Sequence, residues 1–128
     1  MLATLAGLDH LVIAVRDLRA AAGEWAALGF HVSPRGLHSE HMGSGNHTIV
    51  FGEDYLELLG VVAPKPHNEP MRRFLETREG FERIAFTTTD AEAGAEALRA
   101  QGLAATGPLR FGRPVPTPGG GEAEARFS

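Results

Sequence analysis

The sequence contains no cysteine. This absence excludes disulfide bonds, thiolate nucleophiles, zinc–thiolate sites and iron–sulfur clusters. Only His, Asp and Glu side chains remain as candidate metal ligands, so any bound metal ion would have nitrogen and oxygen donors.

Long apolar segments and a strong excess of charge are also lacking. The longest apolar run, Leu11–Val15, is far too short to cross a bilayer, and the N-terminus lacks the basic and apolar regions of a signal peptide. We therefore expect a cytoplasmic protein without a membrane partner. The net charge of −4 includes no basic cluster that would attract a phosphate backbone, so a nucleic-acid partner is not expected.

The rest of the composition is typical of one globular domain. The chain has 128 residues, of which 43% are hydrophobic and 22% are charged. We predict a single domain over residues 1–128, with a first module at about 7–62, a linker at about 63–80 and a partial second module at about 81–128.

The first module begins with a strand, a helix and a short strand. The β-branched residues of Leu8–Val15 predict the first strand, and Asp17 is a candidate N-cap for a helix over Ala20–Leu28. Gly29 can end that helix in a left-handed conformation. Phe30–Ser33 then predicts a second, short strand.

Two more strands are predicted after a loop at residues 34–46. They are His47–Phe51 and Tyr55–Val61, and the three residues Gly52–Asp54 between them suit a hairpin turn. Beyond the proline-containing linker, Met71–Thr77 predicts a short helix.

The same pattern restarts in the second half of the chain. Phe81–Thr89 predicts a strand, Asp90 an N-cap, Ala91–Gln101 a helix and Gly102 its end. Both the cap and the final glycine lie 73 residues after their counterparts in the first module. The constant offset indicates an internal duplication.

The second module lacks a predicted last strand. After its helix, only Leu109–Phe111 and Ala123–Phe127 have strand character. Another subunit could cover the unpaired edge, the sequence could be a piece of a longer protein, or the module could be degenerate. We favour a piece of a longer protein, with a homodimer that hides the exposed edge.

The repeated unit, with a His in its first strand and a Glu in its last, resembles the vicinal oxygen chelate superfamily. The segments Leu8–Leu18, Gly45–Thr48 and Tyr55–Leu58 resemble its glyoxalase-like branch, the glyoxalase/bleomycin resistance/extradiol dioxygenase type. The resemblance implies an α+β fold, in which two βαβββ modules form a curled mixed sheet with a cleft. Here the second module would be shortened.

The resemblance also implies a site for a divalent metal ion such as Mn, Fe, Ni or Zn. Metal ligands in such proteins come from the first and last strand of each module, which matches His10 and Glu57 here. Glu57 is also the candidate catalytic residue, since a carboxylate can move a proton from carbon. In the second module, the position 73 residues after His10 is Arg83, and the counterpart of Glu57 falls beyond Ser128.

The alternation of side chains along a strand is compatible with these metal-binding and catalytic roles of His10 and Glu57, but each residue could also have a simpler role. His10 could equally be a hydrogen-bonded core residue, and Glu57 could be solvated. His47 could face the same cleft as Glu57 and bind substrate, or it could hydrogen-bond to the preceding loop. The loop residues His38 and His41 are expected to face solvent.

Arg83 stands where a metal ligand would be expected, although a guanidinium cannot bind a cation. It could hold a substrate carboxylate, replace the metal by pairing with Glu57, or pair with Glu82 or Glu79 at the rim. Arg83 and His47 are the predicted substrate-binding residues.

Three functional hypotheses follow. The first is a divalent-metal-dependent lyase, isomerase or dioxygenase that acts on a small oxygen-rich molecule. The second is a metal-free module that sequesters a small ligand, with Arg83 and either Trp25 or Phe111 near it. The third is a non-catalytic part of a longer protein.

Overall fold

The computed structural model describes residues 3–127. The chain forms two compact units. The larger is Leu8–Phe86, and the smaller combines the N-terminal residues up to Gly7 with the segment that begins at Thr87.

Most of a five-stranded mixed sheet lies in the larger unit. Its strand order is β2-β3-β4-β1-β5. β1 runs parallel to β4, whereas β3 runs antiparallel to both β2 and β4. The strands are β1 (Leu5–Ala14), β2 (Gly36–Leu37), β3 (Ser44–Phe51), β4 (Asp54–Val61) and β5 (Gly80–Thr88).

Helix α1 (Leu18–Ala27) covers one face of this sheet. The Asp17 carboxylate accepts a hydrogen bond from the Ala20 N–H at 2.9 Å and so caps the helix. A Cβ atom on Gly60 of β4 would lie only 2.6 Å from Cγ of Leu18, so the helix packs directly on the strand backbone. The buried residues of this face are Ile13, Val15, Leu18, Ala21, Ile49 and Leu58.

Helix α2 (Glu69–Thr77) packs on residues of the opposite face. It follows a 3-10 turn at Pro66–Asn68. Because side chains alternate along a strand, this face holds the even-numbered residues of β1 and the odd-numbered residues of β4. Its buried residues are Val12, Ala14, Leu59, Met71 and Leu75.

The buried side chain of Asn68 connects three segments of the larger unit. The two hydrogens of its Nδ2 are shared among three carbonyl oxygens, those of Met42 at 2.8 Å, Gly43 at 3.2 Å and Ala63 at 2.9 Å. Its Oδ1 accepts from the Lys65 N–H at 3.2 Å and from Nε of Arg72 at 3.0 Å. The loop before β3 is thereby attached to the segment that leads into α2.

The smaller unit contains helix α3 (Ala91–Ala100) and a hairpin of β6 (Phe111–Pro116) and β7 (Glu122–Phe127). The Asp90 carboxylate accepts from the Ala93 N–H at 3.0 Å, as Asp17 does at α1. Both helices have 10 residues, and each is followed by a glycine with positive φ, Gly29 and Gly102. The expected 73-residue repeat is therefore present in these caps and helices.

The α+β fold with a shortened second module is confirmed, while one strand was predicted in the wrong place. β1, α1, β2, β3 and β4 form a complete βαβββ module, whereas the described residues of the second half contain β5, α3, β6 and β7. Phe30–Ser33 forms no strand; β2 lies instead at Gly36–Leu37, and β3 begins at Ser44 rather than His47.

Two further expectations concern the chain as a whole. Among the described residues, no helix is long and apolar enough to cross a membrane. The organisation of residues 1–128 as a single domain and the cytoplasmic location stay predictions.

Candidate functional site

Glu57 lies at the centre of a polar cluster on the face of the sheet opposite α1. Glu57 is only 8% exposed. Oε1 accepts a hydrogen bond from Nδ2 of Asn46 at 2.7 Å and lies 3.5 Å from Nε2 of His38. Oε2 lies 3.5 Å from Nε2 of His10. Two imidazoles and one amide therefore surround one buried carboxylate.

The parallel pairing of β1 with β4 places His10 beside this carboxylate. His10 is aligned with Tyr55, two residues before Glu57, and Val12 is aligned with Glu57. The rings of His10 and Tyr55 stack with centroids 4.6 Å apart and planes inclined by 13°. The predicted proximity of His10 and Glu57 is thus present in the structure.

The contacts of His10 determine which of its nitrogens carries a proton. Nδ1 forms a short hydrogen bond with the Asp9 carboxylate. Because a carboxylate only accepts, Nδ1 must donate, and in a neutral ring Nε2 then has a lone pair. That lone pair would face Oε2 of Glu57, which is also an acceptor. The two atoms repel each other unless a proton or a metal cation lies between them.

His38 is the site residue that sequence reasoning missed. Its N–H donates to the Ser44 carbonyl at 3.0 Å, and Nδ1 lies 2.8 Å from the Ser44 hydroxyl oxygen. The pairing of Gly36 with Asn46 therefore continues by two residues, which puts His38 opposite Ser44 on the face that holds Glu57. A prediction of the two-residue strand β2 from the sequence would have placed His38 beside Glu57.

His47 does not join the cluster; of the two alternatives left open by the sequence, the structure shows the hydrogen bond to the preceding loop. Phe51 pairs with Asp54, so the hairpin turn is the two residues Gly52–Glu53 rather than the three-residue turn expected. This one-residue difference places His47 opposite Leu58 on the face covered by α1. Nδ1 of His47 lies 2.8 Å from the Ser33 carbonyl oxygen, to which it donates. A role for His47 in substrate binding stays a prediction.

The other predicted ligand-binding residues have different surroundings. Arg83 is exposed and its Nε donates to the neighbouring Glu82; within the part of the chain described, it forms no ion pair with Glu57. Trp25 packs against Phe30 on the α1 side, with ring centroids 5.1 Å apart. The side chain of Phe111 lies outside the described residues.

The surroundings of Glu57 favour its ionised form. Burial by itself would raise the pKa of Glu57. Hydrogen bonds from His38 and Asn46, together with the charges of His38 and His10, outweigh burial and lower the pKa below the ordinary value of 4.5. Glu57 is therefore a carboxylate at neutral pH.

This lowered pKa predicts a contribution of Glu57 to stability at neutral pH. A depressed folded-state pKa stabilises the fold above the unfolded-state pKa, and the benefit is lost as the pH falls through the folded-state value. The free energy of unfolding of the wild type should therefore fall more steeply below pH 4.5 than that of Glu57→Gln. Urea denaturation of both proteins across this range measures the difference, and parallel profiles would contradict it.

Three of the clustered side chains have the donor atoms that a divalent transition metal prefers. They are the Nε2 atoms of His10 and His38 and the carboxylate of Glu57. Asp9 and Ser44 contact the opposite nitrogens of the two rings, as outer partners of metal-bound histidines do. As arranged, however, no group of three or more His, Asp or Glu side chains in residues 3–127 could hold a metal ion. Metal binding would require a local adjustment.

Comparison of the sequence with models of known protein families identifies one family. The family model for the glyoxalase-like domain matches residues 8–128. Among curated proteins, none matches the sequence.

Several solved structures resemble the chain, and methylmalonyl-CoA epimerases are among them. One, in complex with methylmalonyl-CoA and NH4+, is 29% identical with a TM-score of 0.64, covering 77% of this chain and 72% of that chain. A Streptomyces coelicolor variant in complex with 2-nitronate-propionyl-CoA is 25% identical with a TM-score of 0.68, covering 97% and 89%. The Mycobacterium tuberculosis enzyme is 21% identical with a TM-score of 0.63, covering 99% and 83%, and is alike in fold.

The match over residues 8–128, together with the βαβββ module, identifies the fold as that of the vicinal oxygen chelate superfamily. The chain belongs to the family of glyoxalase-like domains.

Proposed function

We propose that this chain is a divalent-metal-dependent isomerase that acts on a small oxygen-rich molecule. The observation that carries the proposal is the convergence of His10 and His38 on Glu57, with each Nε2 at 3.5 Å from a carboxylate oxygen. If His10 is neutral, a cation between His10 and Glu57 would remove the repulsion between their lone pairs. The structural relatives at 29% and 25% identity are epimerases, which favours an isomerase over the predicted lyase or dioxygenase activities.

His10, His38 and Glu57 are the proposed metal ligands. Their imidazole and carboxylate donors suit Mn, Fe, Ni or Zn. When bound, such an ion supplies a Lewis acid that polarises a substrate oxygen. Asp9 and Ser44 would keep the two rings turned so that Nε2 faces the carboxylate.

Glu57 is the proposed catalytic residue. Its ionised carboxylate accepts a proton from a carbon beside a substrate carbonyl group, and a proton from water that reaches the opposite face of that carbon gives the isomer, while Glu57 releases its own proton to solvent. The proton balance closes without an oxidant or a reductant. Arg83 and His47 remain proposed substrate-binding residues, and a homodimer remains the proposed assembly.

A metal-free small-molecule binding module is the second candidate. The same contacts would be satisfied by a protonated His10 paired with Glu57, and residues 3–127 show no ready group of metal ligands. In that case the cluster would hold a ligand through its charges and hydrogen bonds rather than through an ion.

Metal analysis and isotope exchange test the proposal together. The purified protein should contain or take up a divalent transition metal. It should also exchange the proton next to the carbonyl group of methylmalonyl-CoA for deuterium in D2O, measured by NMR. Treatment with EDTA and the variant His10→Ala should both abolish the exchange. The absence of a bound metal, with unchanged ligand binding in His10→Ala and Glu57→Gln, would overturn the proposal. Weaker ligand binding by both variants, in a protein that takes up no metal, would support the metal-free module instead.

A further inference from the structure

Asn46 provides the shortest contact to the Glu57 carboxylate. Its Nδ2 donates to Oε1 at 2.7 Å, and both residues are 8% exposed. An ionised carboxylate has no hydrogen to donate, so the amide nitrogen of Asn46 must face Glu57 and the amide oxygen must point elsewhere.

The amide oxygen of Asn46 points towards Gly36. The two residues are directly opposite in the pairing of β2 with β3. A Cβ atom on Gly36 would lie 2.5 Å from Oδ1 of Asn46, closer than non-bonded atoms can approach. Gly36 is not among the glycines with positive φ, so its backbone conformation does not demand glycine. A Cβ atom at position 36 would therefore require the Asn46 amide to move.

We infer that Asn46 is a positioning residue that fixes the Glu57 carboxylate between His10 and His38, and that Gly36 leaves the room this amide orientation needs. The inference rests on the proposed function, because the carboxylate so oriented is the proposed metal ligand. Without the bond from Asn46, rotation about the last side-chain bond of Glu57 would lose its strongest restraint. The two carboxylate oxygens of Glu57 would then no longer face one imidazole each.

A double-mutant cycle tests this arrangement. Asn46→Ala and Gly36→Ala should each weaken Mn²⁺ binding about 10- to 100-fold. Each should also shift the carboxyl 13C NMR signal of Glu57 in the metal-free protein. The double variant should be no worse than Asn46→Ala, because the oxygen that the added methyl group would meet is gone. Gly23→Ala is the matched control, since Gly23 is exposed on α1 with open space around its Cα.

The outcomes separate this inference from the proposed function. Additive effects of the two substitutions, or an unchanged Glu57 carboxyl signal in Asn46→Ala, would overturn the positioning role. Failure of the wild type to bind Mn²⁺ would instead count against the proposed metal enzyme. The carboxyl signal of the metal-free variants would still decide whether Asn46 and Gly36 position Glu57.

Discussion

Replacement of Asn68 by alanine is expected to lower the free energy of unfolding by about 3 kcal/mol. Asn68 is 3% exposed and its Nδ2 bonds three carbonyl oxygens. The Gly43 carbonyl keeps bonds from the N–H groups of Val62 and Ala63. The carbonyls of Met42 and Ala63, which are partly buried, would lose the bonds they receive from Asn68, and acceptors that lose their partners away from bulk water are costly.

Urea denaturation measures this loss of stability. Two further variants test whether the loss comes from the hydrogen bonds of Asn68. Asn68→Asp keeps the shape of the side chain but turns an acceptor towards the same carbonyl oxygens, so it should destabilise at least as much. Gln101→Ala removes an amide from an exposed position and should change the stability little. A loss below about 1 kcal/mol in both Asn68 variants would show that these bonds contribute little.

The second large effect is expected for Glu57→Gln. This substitution keeps the size of the side chain and removes the negative charge between His10 and His38. Loss of a proposed ligand should weaken Mn²⁺ or Zn²⁺ binding by more than about 100-fold, because even outer partners of metal ligands contribute 10- to 100-fold. Isothermal titration calorimetry measures the change.

Glu53→Gln is the matched control for this variant. It makes the same chemical change on the β3–β4 hairpin, but at an exposed residue of the turn. Its metal affinity should equal that of the wild type. Equal affinities for Glu57→Gln and Glu53→Gln would remove Glu57 from the set of metal ligands.

The sequence was sufficient to predict those elements that depend on local chemistry. The caps at Asp17 and Asp90 were identified because an aspartate before an Ala-rich segment can bond the free N–H groups of the first turn. The proximity of His10 and Glu57 followed from the family resemblance and from strand alternation. The argument for the caps needs only residues that are close in sequence, and the argument for His10 and Glu57 needs only the strand arrangement of the family.

The parts of the site that were missed depend on pairing between strands. β2 is only two residues long, Gly36 and Leu37, and neither the composition nor the length of this segment indicates a strand. His38 was therefore assigned to a solvated loop. The sequence left the face of His47 open because that face depends on the length of the β3–β4 turn, which a Gly-Glu-Asp segment determines only to within one residue.

The two-residue turn between β3 and β4 also restricts how this domain can change in evolution. Insertion of one residue there would turn the side chains of β3 over, bringing His47 beside Glu57 in place of Asn46. The same slip would expose Ile49, which is now 2% exposed and packs in the core with Leu58. Insertions and deletions at this turn should therefore be eliminated during evolution, because they lower the stability of the domain. New activities should arise instead from substitutions on the face of the sheet that holds Glu57.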